Sequence, residues 1–161
     1  MQPEQSKYQK TLAEFKKFIR SNCDEVNTQK EYNRYLNEIY SFTRLGAPFD
    51  MLEPAEVMKK MLTVDYDNGY SEYLNNQSYD EVFAGEYYEK SVIDQAKIDF
   101  IDLIQDDIDW TNNQINDLEN DIKDLDDEEE ILTLKEDIDD LKNDLKELEE
   151  SQELVREISF D

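Results

Sequence analysis

Two heptad blocks that do not share a phase constrain this chain more than any other feature. In the first, aliphatic residues recur at Ile101, Ile104, Ile108, Ile115, Leu118, Ile122 and Leu125, with Thr111 completing the pattern. In the second they recur at Ile131, Leu134, Ile138, Leu141, Leu145 and Leu148, followed by Gln152 and Val155. Alternating steps of three and four set each group on one stripe of a helix, the seam of a coiled coil. From Ile122 to Ile131 the step is nine residues instead of seven, and Asp126-Asp127-Glu128-Glu129-Glu130 fills the gap.

Two arrangements absorb the jump at 126–130. The chain can reverse there into an antiparallel helical hairpin, with arms of about 97–125 and 129–157 that each reach roughly 43 Å. Asp126 with Glu129, or Asp127 with Glu130, then starts the returning helix. Alternatively, one unbroken helix pairs with a second chain and takes up the offset as a local change in supercoil. The lack of Gly or Pro at the junction favours this version, as do the pairs Glu130 with Lys135 and Asp137 with Lys142; Asp144 with Glu149 is repulsive. The hairpin is preferred, because it avoids bringing together two strongly negative segments. A monomer is expected over a coiled-coil dimer.

Charge and aromatic content divide the chain at the same place. The 161 residues carry 42 acidic and 17 basic side chains, a formal charge of −25. Residues 97–161 hold 25 acidic and 6 basic of these, whereas residues 1–96 hold 17 and 11. All ten tyrosines lie in the first part, the last at Tyr88. Composition therefore predicts an all-α chain with a small helical, tyrosine-rich domain over 1–96, followed by an acidic coiled-coil arm over 97–161.

Within the first part, Tyr8, Leu12, Phe15 and Ile19 mark one face of a helix over 4–20. Its Lys7, Lys10, Lys16, Lys17 and Arg20 are read as neutralising neighbouring acidic surface. Thr28 with Glu31 is a capping box for a second helix, whose face uses Tyr32, Tyr35 or Leu36, Ile39 and Phe42 before Gly46 and Pro48 end it. Pro54 opens a third, short helix. Asn68-Gly69 is a turn signal, with a small hairpin of Val64, Tyr66 and Tyr70 as one option around it. An EF-hand reading of Asp65–Tyr70 fails, because its ligand positions would fall on Val64, Tyr66 and Asn75. Ser78 with Glu81 is a further capping box, opening a short turn before Gly85. Ala96, Phe100, Leu103 and Trp110 form a second apolar stripe, expected to pack against the N-terminal helices, with Trp110 as an exposed interface anchor the alternative.

Several function classes are excluded or disfavoured. Histidine is absent and Cys23 is the only cysteine. One copy therefore supplies no Cys/His zinc site, no disulfide scaffold and no Ser-His or Cys-His mechanism. Cys23 is read as a reduced thiol. No apolar run approaches a membrane span and no signal segment is evident, so a cytoplasmic, non-enzymatic protein without cofactor or metal is expected.

The acidic surface carries the functional expectation. Solvated helix faces ordinarily mix Lys with Glu, whereas this one repeats aspartate, a weaker helix former, beside like charges. A rigid acidic rod presents charge as a nucleic acid does. The expected function is thus binding and inhibition of a basic nucleic-acid-binding protein, such as a defence nuclease or its nucleoprotein complex, by competing with DNA or RNA. No direct nucleic-acid binding is expected. The face assigned to this is Asp117, Asp121, Asp124, Asp137, Asp140, Asp144 and Glu147. The plainer reading of the tyrosines is that their rings complete the core, and the sharper one makes Tyr66, Tyr70, Tyr73 and Tyr79 candidate aromatic contacts. In size and acidity the chain resembles the small acidic proteins with which phages and mobile elements block restriction or CRISPR nucleases; the resemblance rests on no motif and carries no residue over. The alternative is a coiled-coil adaptor that joins proteins.

Overall fold

Six helices and one two-stranded hairpin make up the computed structural model, which describes residues 6–40, 51–123 and 125–160. In chain order they are α1 (Lys7–Asn22), α2 (Thr28–Ile39), α3 (Pro54–Met61), α4 (Thr63–Asn75), β1 (Tyr79–Phe83), β2 (Glu86–Glu89), α5 (Lys90–Lys123) and α6 (Glu128–Glu157). They pack as two units. One joins the chain up to Cys23 with Ser91–Phe160, and the other is Asp24–Lys90. The compositional segments 1–96 and 97–161 do not coincide with these units, and among the described residues no distinct N-terminal domain is evident. Composition records where charge lies, but α1 has an apolar face to cover, and the long helices cover it.

In the first unit α5 and α6 form a hairpin-like antiparallel pair. Lys142 Nζ meets Glu119 Oε1 at 3.2 Å, Gln152 Nε2 donates to Gln105 Oε1 at 3.0 Å, and Lys97 Nζ donates to the Ile158 carbonyl at 2.5 Å. As the residue number falls along α5 it rises along α6, which only a reversal produces. The returning helix is capped by Asp127, whose Oδ1 accepts from the amides of Glu129 and Glu130. That side chain satisfies two of the orphan donors of the first turn. Every one of the thirteen aliphatic seam residues is buried or half-buried. Thr111 is buried too, its hydroxyl returned to the Asp107 carbonyl, and buried Gln152 is satisfied by Gln105.

Helix α1 lies along α6 and brings Phe15 between Phe100 and Phe160, with ring centroids 5.5 and 6.0 Å away. Lys7 pairs with Glu150 at 2.6 Å at the start of α1, and Lys16, further along the helix, stands over the Phe160 ring. Three helices therefore enclose the end of the pair that holds Phe15, Ile19, Ala96, Val155 and Ile158, all nearly inaccessible. From Leu118 to Leu148 two helices remain, and their seam is only half-buried, with Ile138 the buried exception.

The second unit is built around tyrosines. Tyr32, Leu36, Ala55 and Tyr66 form its buried cluster, with Met58, Tyr70 and Tyr73 against it. Pro54 opens α3 as expected from its fixed φ. The cap of α2 is one residue earlier than the sequence indicated: Asn27 Oδ1 accepts from the Lys30 amide, while Thr28 Oγ1 shares a 2.5 Å hydrogen bond with Tyr70 Oη. Phe42, Gly46 and Pro48 lie outside the described residues.

Two local expectations are corrected here. Asn68-Gly69 is not a turn but lies inside α4. The hydroxyl of Tyr32 approaches Gly69 so closely that a Cβ there would collide with it, so this glycine serves close approach and not chain reversal. The hairpin lies instead at Tyr79–Glu89, a two-stranded addition to an otherwise helical fold. Ser78 precedes a strand. Glu81 accepts from the Gly85 amide at 2.6 Å and so closes the Ala84-Gly85 loop, in which Gly85 has φ +81°. The β1–β2 register runs from Tyr79 opposite Glu89 to Phe83 opposite Glu86, with a bulge between Glu81 and Phe83, and Val26 adds one bridge to Tyr87. Two short runs rich in Tyr, Val and Phe on either side of a Gly-containing loop were the available signal.

Candidate protein-interaction surfaces

With the seam turned inward, the carboxylates between its positions are left outward. Asp117 and Asp121 on α5, and Asp137, Asp140, Asp144 and Glu147 on α6, are all exposed; Asp124 lies outside the described residues. The Lys142–Glu119 bridge sets their two segments side by side, because Asp117 and Asp121 flank Glu119 while Asp140 and Asp144 flank Lys142. Asp137 lies a turn nearer the chain reversal and Glu147 a turn nearer the three-helix end.

The charge of the pair is dense enough to matter at a distance. Helix α5 carries 9 acidic and 3 basic residues and α6 carries 13 and 4, so their net charges are −6 and −9. Spread over about 51 Å of helix, the combined −15 is one net charge per roughly 3.4 Å, comparable to one DNA strand and half the density of a duplex. The cations of α1 sit toward the opposite end, where Lys7 holds the Glu150 carboxyl below its ordinary range. The two-helix stretch keeps its negative field.

One face of α5 interrupts that field with apolar groups. Trp110 is 61% exposed and Leu103 50% exposed, which corrects the expectation that they pack against the N-terminal helices. Of that stripe, Ala96 and Phe100 do turn inward. Asp99, Leu103, Asp106, Trp110, Asn113 and Asp117 follow one another by steps of four and three and are all exposed, so they share a face. α1 covers the part of α5 near Phe100, and Trp110 lies more than two turns beyond it.

The four candidate tyrosines divide. Tyr66 is 1% exposed and donates to Asn33 Oδ1 at 2.5 Å, so it belongs to the core. Tyr70 is half-buried and engaged with Thr28. Tyr73 packs on Tyr32 and Tyr35, with ring centroids 5.2 and 5.4 Å away, and Tyr79 is half-buried on β1. Burial first, and the adjacent Tyr79 phenol second, push the Tyr73 hydroxyl up to about 12; burial also raises Tyr32, Tyr66 and Tyr87. Of the four candidates only Tyr73 borders a cleft of about 410 Å³ between α2 and α4, whose walls also include Tyr32, Tyr35 and Tyr40 with the carboxylates Asp65 and Glu72.

Compared with known protein families, curated proteins and solved structures, the chain matches none. Among the described residues no helix is long and apolar enough to cross a membrane, and no group of three or more Cys, Asp or Glu is placed to hold a metal ion.

The cleft was missed from sequence, although its α2 side was legible: Tyr32, Tyr35 and Leu36 were already assigned to one helical face. Its α4 side was hidden by the turn signal at Asn68-Gly69, which broke the helix that carries Asp65, Glu72 and Tyr73 on neighbouring turns.

Proposed function

We propose that this chain is a non-enzymatic acidic protein that binds a basic nucleic-acid-binding protein, such as a nuclease, and inhibits it by competing with DNA or RNA. The observation that carries this is the linear charge of the α5–α6 pair, close to one net negative charge per 3.4 Å of axis. A groove that releases counterions when it takes up phosphates gains similarly from a fixed row of carboxylates, without unwinding or bending anything. Encounter is accelerated by the field and weakens with salt. Such a surface repels nucleic acid, so the protein acts as a competitor and not as a ligand of DNA or RNA. The paired helices are read as a short antiparallel coiled coil that keeps the two acidic rows in register, and the protein acts as a cytoplasmic monomer. An adaptor joined through an intermolecular coiled coil draws less support, because the seam it needs is filled within one chain.

The test begins with capture of the partner from a cell lysate and continues with a competition assay. The chain is expected to displace nucleic acid from the captured protein at 50 mM salt and much less at 200 mM. Replacing Asp137, Asp140, Asp144 and Glu147 together by Asn or Gln is expected to weaken competition about tenfold or more while helicity is kept. Competition indifferent to both salt and these substitutions would remove the basis for mimicry.

A further inference from the structure

We infer that the tyrosine-walled cleft between α2 and α4 is a receptor for an arginine side chain presented by a protein partner. Four aromatic rings and two carboxylates converge there, and among the described residues no lysine or arginine lines it. Its volume of about 410 Å³ falls in the range of small-ligand sites, roughly 300–1,000 Å³. A guanidinium is the group that uses both kinds of wall at once. It is planar and weakly hydrated, so it stacks on Tyr35, Tyr40 or Tyr73, while its fork of N–H donors meets Asp65 or Glu72. An anion would face two carboxylates, and a neutral apolar group would leave both of them unpaired.

Three further features fit a cationic guest. Tyr35 and Tyr40 are 45% and 51% exposed, so the rings are open to an incoming side chain, whereas Tyr32 beneath them is fixed by the buried cluster. The chain already places its own cations over rings in this manner, with Lys59 5.8 Å from the Tyr66 ring centroid and Lys16 5.6 Å from that of Phe160. The Tyr73 phenol, engaged with Tyr79, presents its ring to the cleft.

The site lies wholly in Asp24–Lys90 and does not depend on the acidic pair, so it can stand or fall separately from the proposed competition with nucleic acid. The probe is Nα-acetyl-arginine methylamide, titrated into the full chain while the tyrosine ring signals are followed by NMR. The citrulline and lysine counterparts serve as the neutral isostere and the ammonium control. Signals of Tyr35, Tyr40 and Tyr73 are expected to shift saturably with arginine, with citrulline weaker by about tenfold or more. The pair Asp65→Asn and Glu72→Gln should weaken arginine by about the same factor, as should Tyr40→Leu on the exposed wall, whereas Asp137→Asn with Asp144→Asn should change nothing. No saturable shift overturns the assignment. Equal binding of citrulline, or tighter binding of lysine, overturns arginine as the guest.

Discussion

The hydroxyl of Tyr32 fills the space that a side chain on Gly69 would need. Tyr32 meets Tyr66 edge-on and Tyr70 and Tyr73 at a tilt, with ring centroids 5.2 to 5.4 Å away, so this one close approach lets α4 lie against α2 and forms the base of the tyrosine cleft.

Gly69→Ala is therefore expected to destabilise the protein. Alanine in a helix interior ordinarily gains about 1 kcal/mol over glycine, but overpacking a buried ring opposes this by roughly 1–3 kcal/mol. Urea unfolding reads the difference. Tyr32→Phe removes the colliding oxygen, so the double variant should recover the helix-propensity gain; a stabilising Gly69→Ala on its own would show that the approach is looser than described.

Helix α1 belongs with the long helices. Ile19 is inaccessible within that unit, so Ile19→Ala should lower stability by about 2–5 kcal/mol through lost burial and the cavity left behind. Leu132→Ala, at a 60% exposed position in α6, should stay within about 0.5 kcal/mol. The two denaturation curves distinguish a three-helix unit from a freestanding two-helix arm.

The tyrosine core makes the second unit sensitive to alkali. Tyr32, Tyr66, Tyr73 and Tyr87 are all raised above 10.0 chiefly by burial, Tyr73 to about 12. Unfolded phenols ionise first, so the unfolded state binds fewer protons and stability falls as pH rises. The loss begins near pH 10 and, for Tyr73, levels off above about 12. Unfolding followed between pH 9 and 12 should show this decline, with a smaller slope in Tyr73→Phe.

Glu150 titrates in the opposite sense. Its hydrogen bond to Lys7 and that cation's charge lower its pKa, so the stabilisation is present above the ordinary carboxylate value and is lost as pH falls through the lowered one. In an NMR titration the Glu150 carboxyl should move up toward its ordinary value in Lys7→Met. Half-molar salt should do the same, since the pair is open to solvent. A carboxyl indifferent to both changes would dissociate α1 from α6 at this point.

Much of the first unit was legible because its signal is periodic. The spacing of Ile101 to Leu125 and of Ile131 to Leu148 fixes the inward stripe wherever the partner helix comes from, and the Phe15–Ile19 spacing does so for α1. The exposed acidic residues follow as the complement of those stripes. The nine-residue step at Ile122–Ile131 located the reversal, and Asp127 was one of the two caps it allowed. Local chemistry was less decisive in Asp24–Lys90. The Asn68-Gly69 dipeptide has the composition of a turn, and Ser78 with Glu81 has that of a cap, yet one became helix and the other hairpin.

What the sequence alone determined is the set of heptad faces: which stripe of each long helix turns inward, where the charge accumulates, and where the heptad phase breaks. Those depend on hydrophobic periodicity and on capping, which act over a few residues. Only the tertiary structure decided which faces meet. It joined α1 to α5 and α6 across 67 intervening residues, left Trp110 uncovered, and set Tyr32 against Gly69. Packing is a property of two surfaces at once, and the partner of a face is not written in the spacing of that face.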